Sequence, residues 1–380
     1  MKDLSEIRKE LDAIDDEIIA LYEKRMALSK EVGLSKAKTG KAVNDTEREN
    51  AILYRLTNKV SDDLKLYVSK LYGAIFHTSK AYQSKFLTVN SKTVDKINEV
   101  LKQERLPLPV SASVACQGVK GANSGTAARK IFPVSDITYV KNFEGVLQAV
   151  DKGLCEYGVI PIENSTAGSV LEVYDLMKKY HFHIVKSVRL RIDHCLTGVV
   201  SGDISKIKKV YSHPQALSQC AEYLKRLNVE PIEVANTAVA AKLVAELGDE
   251  SVGALCSSDC AEVYGLKVFE SCVQDSVSNY TRFICIAKDL KIYKGADRIS
   301  IMTSLSHKPG SLNDILTKFS SLGLNLTKIE SRPILHSEFE FMFYFDFVGD
   351  VYDKEVRNLI AELENGSLNF TFLGCYSEMV

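Results

Sequence analysis

YGVIPIENSTAGS, residues 157–169, passes from a run of apolar β-formers directly into a loop of Glu, Asn, Ser, Thr and Gly. A short apolar run bounded by turn residues reads as a buried strand. The same texture recurs around it. SVACQG (113–118), ITYV (137–140), HIVKSV (183–188), KKVYSH (208–213) and FICIA (283–287) alternate with helical stretches such as AVAAKLVAELG (238–248). Strand–helix alternation predicts an α/β domain with a largely parallel sheet, whose ligands sit on the loops at the carboxyl ends of the strands.

Four such loops are dense in polar residues: GVKGANSGTAA (118–128), PIENSTAGS (161–169), SHPQAL (212–217) and SNYTRF (278–283). Loops of this kind present backbone N–H groups and small hydroxyls to an anion. Taken singly, each is also ordinary turn chemistry. No GxGxxG follows a strand, so nothing supports a dinucleotide site.

Toward the amino terminus the pattern is helical. Leu4, Ile7, Leu11, Ile14, Ile18, Leu21, Leu28 and Val32 recur in steps of three and four, the seam of one very long helix. Such a seam is not covered within one chain, which predicts an intertwined helical dimer. Arg25 stands where an apolar residue is due, and Lys36 lies eleven residues on along the same face. The pattern breaks at Thr39-Gly40, and a second helix starts near Asn44-Asp45. Asp45, Arg48 and Glu49 share a face of that helix, as Ser79 and Gln83 do on a third. A cation-rich pocket of this kind suits a small multi-carboxylate ligand. The plainer reading is solvated surface charge with one interface ion pair. Residues 84–110 lose the pattern, and Pro107-Leu108-Pro109 reads as a linker.

Beyond Arg298 the order is strand RISIMTSL, helix KPGSLNDILTKFSSLG, strands NLTKIESR and EFEFMFYFDF, helix DKEVRNLIAELE and strand LNFTFLG. This βαββαβ order is the ferredoxin-like arrangement.

Composition sets the outer limits. The chain has 380 residues, 46% hydrophobic and 26% charged, room for several globular domains. Its 48 basic and 49 acidic residues nearly cancel, so no electrostatic case exists for nucleic acid or an anionic membrane. The nine cysteines are scattered, and the charged N-terminus is unlike a signal peptide; both predict a cytoplasmic protein with reduced thiols. Neither Cys256–Cys260 nor His181–His183 has a second pair beside it, and no metal or cofactor is expected.

Residues 1–88 resemble the all-helical chorismate mutases, carried by SEIRKELDAIDDEIIALYEKRMALSKEVGLSK, NDTERE and IFHTSKAYQ. The resemblance implies a metal-free pericyclic rearrangement of chorismate to prephenate. Arg8 (from the partner subunit), Arg25 and Arg48 would hold carboxylates, and Lys36 with Gln83 the breaking ether oxygen. Glu49, helped by Asp45, would hold the ring hydroxyl, and Ser79 completes the chorismate-binding set. Asn44 departs from the basic residue common in that family.

Residues 111–288 resemble prephenate dehydratases through VACQGVKGANS, PIENSTAGSV, SHPQAL, NTAVAA and NYTRF. This implies two α/β lobes like those of periplasmic binding proteins, crossed near His194 and Gln274, with the site in the cleft. Thr281 would be the catalytic hydroxyl and Arg282 the nearby cation. Asn164 and Gln215 would orient prephenate, supported by Glu163, Ser165, Ser212 and Asn279, with His213 as a lesser candidate acid. Residues 299–376 resemble ACT domains, paired amino-acid sensors. KPGSLNDIL and IESRP imply phenylalanine contacts from Gly310, Ser311, Leu312, Asn313, Glu330, Ser331, Arg332 and Pro333.

The expectation is a bifunctional, phenylalanine-inhibited homodimer or larger homo-oligomer. Arogenate dehydratase and a non-catalytic amino-acid sensor stand as alternatives.

Overall fold

A computed structural model describes residues 3–39, 45–84, 86, 90–276, 278–305, 308, 310–334 and 341–380. The break at Gly40, the residue Asn44 and Pro309 of KPGSLNDIL lie outside them. The chain forms two compact units, and the C-terminal segment is divided between them.

The first unit comprises residues 1–95, 303–329 and 333–371. Its helices α1 (Leu4–Thr39), α2 (Thr46–Thr57) and α3 (Lys65–Ser84) follow the predicted periodicity. Helix α1 packs on α3 around Gly33, where a Cβ would come within 3.1 Å of the Gln83 backbone. The apolar seam of α1 is open to solvent: Leu11, Ile14, Ile18 and Leu21 are each more than half exposed.

The expected linker holds a further helix, α4 (Lys92–Leu101), in place of irregular chain. Ser91 caps it, its hydroxyl accepting from the Val94 N–H at 2.9 Å, and Ile97 is fully buried. The spacing of Val94, Ile97 and Val100–Leu101 carries this signal, which the polar residues around it obscure.

The second unit comprises residues 96–302, 330–332 and 372–380, and has two lobes. The first lobe contains β1 (Ser111–Gln117), α5 (Asn123–Ile131), β2 (Val134–Val140), α6 (Phe143–Asp151), β3 (Tyr157–Asn164), the short β4 (Gly168–Ser169), α7 (Leu171–Lys179) and β5 (His183–Arg191). The second contains β6 (Cys195–Gly198), β7 (Lys209–Ser212), α8 (Pro214–Gln219), α9 (Ala221–Leu227), β8 (Glu230–Glu233), α10 (Thr237–Leu247), β9 (Val252–Cys256), α11 (Ser258–Val263) and β10 (Lys267–Glu270). The chain then returns to the first lobe as β11 (Tyr280–Ala287).

The crossing segments are hydrogen-bonded to each other: Val273 N–H donates to the His194 carbonyl at 2.9 Å, and His194 N–H to Oε1 of Gln274 at 2.9 Å. Neither sheet is wholly parallel, contrary to the simplest reading of the alternation. In the first lobe β11 lies between β3 and β5 and is antiparallel to both. In the second, β6 is antiparallel to β9 and β10. The return crossing that closes a two-lobed domain imposes this.

The C-terminal strands and helices are β12 (Arg298–Leu305), α12 (Ser311–Ser321), β13 (Leu326–Pro333), β14 (Phe341–Val348), α13 (Lys354–Gly366) and β15 (Phe370–Met379). The order β13-β14-β12-β15 is that of a ferredoxin-like sheet. In the first unit α12 packs against α3. In the second, the end of β15 adds to β5 in parallel, Ser377 opposite Lys186. Gly374 permits this approach, since a Cβ there would collide with the Ile184 carbonyl oxygen.

Candidate active sites

In the first unit α3 is the element on which the other two helices' polar side chains converge. Ser79, buried, receives a hydrogen bond from the Arg25 guanidinium of α1, whose cation also lies 5.9 Å from the Phe76 ring. Lys80, the next residue, ion-pairs with Glu49 of α2, reaching one carboxylate oxygen at 3.1 Å and the other at 3.3 Å. Gln83 packs on Gly33. Arg25, Ser79 and Gln83 thus meet where α1 packs on α3, and Glu49 of α2 is held to the same helix by Lys80. Lys36 is half-buried further along α1. Asp45 serves the backbone, its Oδ1 capping α2 by accepting from Arg48 N–H at 3.0 Å. Arg8 and Arg48 are exposed.

In the second unit the side chains converge on Asn164, at the end of β3. Its Oδ1 accepts from the backbone N–H of Thr166 at 3.1 Å and of Ala167 at 2.9 Å. Backbone N–H groups only donate, so these two bonds fix which end of the amide is oxygen. Nδ2 therefore faces the hydroxyl of Thr281 at 2.9 Å, with Oδ1 of Asn279 also at 2.9 Å. Thr281 stands in register with Asn164 because β11 runs beside β3.

The second lobe adds α8, from which Gln215 donates to Asn164 Oδ1 at 3.4 Å. Gln219, one helical turn on, donates to Thr166 Oγ1 at 2.6 Å and accepts from Asn279 at 3.0 Å. His194 is 2.9 Å from the same Gln219 oxygen, so its Nε2 carries the proton. Burial holds the His194 pKa below its ordinary value, keeping the ring neutral. The result is an array of neutral amides, hydroxyls and an imidazole running from the crossing segments to Thr281. The lobes also meet where the Tyr264 hydroxyl donates to the Lys120 carbonyl at 2.7 Å.

Several expected residues lie elsewhere. Arg282 is not beside the Thr281 hydroxyl: successive strand residues point to opposite faces, and its guanidinium is buried against Glu378 at 3.1 Å and the Tyr376 hydroxyl at 2.8 Å. Ser212 is fully buried and donates to the Leu255 carbonyl at 2.8 Å, bracing β7 on β9. Ser165 braces the 278–280 segment, donating to Ser278 O and accepting from Tyr280 N–H, each at 2.9 Å. His213 caps α8, its Nδ1 accepting from Gln215 N–H at 3.2 Å, and burial lowers its pKa. Glu163 faces Arg282 and Ser169 in register.

In IESRP, Glu330 accepts from Ser169 at 2.5 Å and Arg332 grips both oxygens of Asp175 at 2.6 and 3.2 Å. These two side chains turn toward the first lobe of the dehydratase-like unit, while Ser331 and Pro333 are exposed. Among the phenylalanine-contact candidates of the other motif, Gly310 and Asn313 are exposed and Ser311 and Leu312 half-buried at the start of α12.

Residues missed in the sequence are Gln219, Thr166 and Lys80. The i, i+4 spacing of Gln215 and Gln219 on a helix after a site loop was the available signal for the first. Among the described residues no helix is long and apolar enough to cross a membrane.

Residues 7–84 match the model of chorismate mutase type II, and residues 114–291 that of prephenate dehydratase. The bifunctional chorismate mutase/prephenate dehydratase of Escherichia coli K12 is 32% identical over 97% of this chain and 95% of its own. Arogenate dehydratase/prephenate dehydratase 1 of Arabidopsis thaliana is 35% identical over 85% of this chain and 83% of its own. The crystal structure of prephenate dehydratase in complex with L-Phe from Arthrobacter aurescens aligns with a TM-score of 0.64 at 27% identity, covering 70% of this chain and 89% of that one. With a mutase match and a dehydratase match in one polypeptide, and relatives that carry both end to end, the chain belongs to the bifunctional chorismate mutase/prephenate dehydratases of phenylalanine biosynthesis, which rearrange chorismate to prephenate and convert prephenate to phenylpyruvate.

Proposed function

We propose that Thr281 is the group on which the dehydratase step turns. Prephenate loses carbon dioxide as the electrons of that C–C bond enter the ring and the ring hydroxyl departs, leaving the aromatic product. Aromatisation drives the step, so the protein's task is to take up the developing hydroxide. The Thr281 oxygen already accepts from Asn164, which leaves its own proton free to donate to the leaving oxygen. This is the observation that carries the reading. Asn164, Gln215 and Asn279 orient the substrate through neutral amides.

For the mutase, Arg25, Arg48, Lys36 and Gln83 hold the carboxylates and ether oxygen of chorismate, Glu49 its ring hydroxyl. Ser79 orients Arg25. Catalysis is positioning and charge stabilisation, with no covalent intermediate. Arg8 completes the pocket of a second subunit, and the open seam of α1 is the surface that an antiparallel partner helix covers.

The βαββαβ segment is an ACT-type sensor for phenylalanine, paired between subunits. Ser331 and Pro333 face the ligand side of β13, while Glu330 and Arg332 link it to Ser169 and Asp175. Ser169 lies on β4, paired with β3 beside Asn164, so strain in that strand reaches the dehydratase site. All nine cysteines are free, eight of them buried and Cys272 exposed, which fits a reducing cytoplasm.

One preparation should consume chorismate and produce phenylpyruvate from prephenate, read by its absorbance in alkali. Arogenate offered in competition assigns the side-chain preference. Absence of phenylpyruvate from prephenate would overturn the dehydratase assignment.

A further inference from the structure

The mutase reading accounts for Glu49 but says nothing of its neighbour. Lys80 reaches both oxygens of the Glu49 carboxylate, at 3.1 and 3.3 Å. About three-quarters of each side chain is withdrawn from solvent, with 23% of Lys80 and 26% of Glu49 exposed. An ion pair made through both oxygens fixes the rotamer of the carboxylate as well as its charge.

Such an anchor answers a physical difficulty. Chorismate is a dianion, and a carboxylate placed to accept from its ring hydroxyl is repelled by the substrate's own charges. A cation behind that carboxylate offsets the repulsion and fixes the direction in which its oxygens point. Neighbouring residues of α3 divide the work: Ser79 steadies Arg25 on α1, and Lys80, about 100° further round the helix, steadies Glu49 on α2.

The surroundings sharpen the point. Glu49 and Lys80 line a cavity of about 420 Å³ whose other wall is α12 and α13. Acids on that wall, Asp314, Glu355 and Glu362, offer alternative partners for a lysine. They are partly engaged, Glu362 with Lys318 at 2.7 Å and Asp314 with His77 at 3.5 Å.

We propose that Lys80 is a positioning residue of the chorismate rearrangement, holding the Glu49 carboxylate in place for the substrate's ring hydroxyl. The proposal rests on the assignment of Glu49 to the mutase site. The test is steady-state chorismate turnover by the full chain carrying Lys80→Met, Lys80→Arg, Glu49→Gln, or Lys80→Met with Glu49→Gln. Far-UV circular dichroism serves as the check on the helices.

Lys80→Met should lower kcat by about ten- to a hundred-fold, the effect of a displaced group outside the chemistry, with KM changed less than about three-fold. Lys80→Arg should recover most of the loss. In the Glu49→Gln background, Lys80→Met should cost less than about two-fold more, because the group it positions is already altered. If Glu49→Gln is impaired while Lys80→Met turns over normally, or if the two losses multiply, Lys80 does not act through Glu49 and the proposal is overturned. If Glu49→Gln itself turns over normally, the assignment of Glu49 falls and the proposal with it. Helical signal lost in Lys80→Met but kept in a slow Lys80→Arg would likewise assign Lys80 to folding and overturn it.

Discussion

Asn164 donates to the Thr281 hydroxyl oxygen from 2.9 Å, in an orientation imposed by two backbone N–H groups on the other end of its amide. The hydroxyl proton is thereby directed away from Asn164. Thr281→Val preserves shape and removes only that hydroxyl. It should cost the dehydratase roughly a thousand-fold in kcat, about 4 kcal/mol of transition-state stabilisation, with mutase turnover unchanged. Near-normal kcat in the variant would transfer the role to another group.

Arg25 reaches Ser79 within the helical segment and has no part in the Asn164 array. Replacing Arg25 or Lys36 with Ala should abolish chorismate turnover and leave prephenate turnover within about three-fold. Separate assays on one preparation check this, and joint loss in a folded protein would mean that the two sites are not independent.

His194 is buried and titrates below its ordinary value of 6.5 because burial disfavours the imidazolium. Its folded pKa lies under its unfolded one, so the unfolded chain binds more protons as pH falls through 6.5. The stabilisation is complete above that pH and is lost on acidification below it. Melting temperatures from pH 8 to about 5 should fall more steeply in the wild type than in His194→Asn. His183 and His213 are lowered in the same sense, so a residual slope remains.

Arg332 holds Asp175 through both oxygens, and Glu330 holds Ser169. On the proposed sensor reading these are transmission contacts. Arg332→Ala should bind phenylalanine within about three-fold of the wild type by calorimetry, yet lose at least about five-fold of the inhibition of prephenate turnover. Binding and inhibition lost together would make Arg332 a ligand residue.

Glu378 is 4% exposed and is met by Arg282 at 3.1 Å, Arg189 at 2.7 Å and Arg298 at 3.5 Å. Glu378→Ala leaves the buried Arg282 guanidinium without its anion. It should destabilise the dehydratase unit by about 3–5 kcal/mol, read from denaturant unfolding.

The amide array was half legible. Asn164, Gln215, Asn279 and Thr281 lie in loops whose polarity is visible, and register alone brings Thr281 to Asn164. Arg282 misled because adjacency in sequence is opposition across a sheet, and its partner Glu378 is 96 positions on (378 − 282). Glu330 and Arg332 share a face because alternate residues of one strand do, but their partners Ser169 and Asp175 lie more than 150 positions back and no local pattern names them. The packing of α12 on α3 was not legible, since no local pattern encodes which distant helix a helix meets. Ser212 shows the limit for hydroxyls: strand and loop polarity look alike until burial is known.

The end of the last strand is hydrogen-bonded to β5, and its Glu378 is ion-paired with Arg282, the residue after Thr281. A chain cut anywhere before Glu378 therefore loses a brace of its dehydratase along with whatever regulation it sheds. On the proposed sensor reading, strains selected on toxic phenylalanine analogues would escape through missense alleles in β13 or at the start of α12. Nonsense and frameshift alleles would be missing from such a collection, because they would leave the cell a phenylalanine auxotroph.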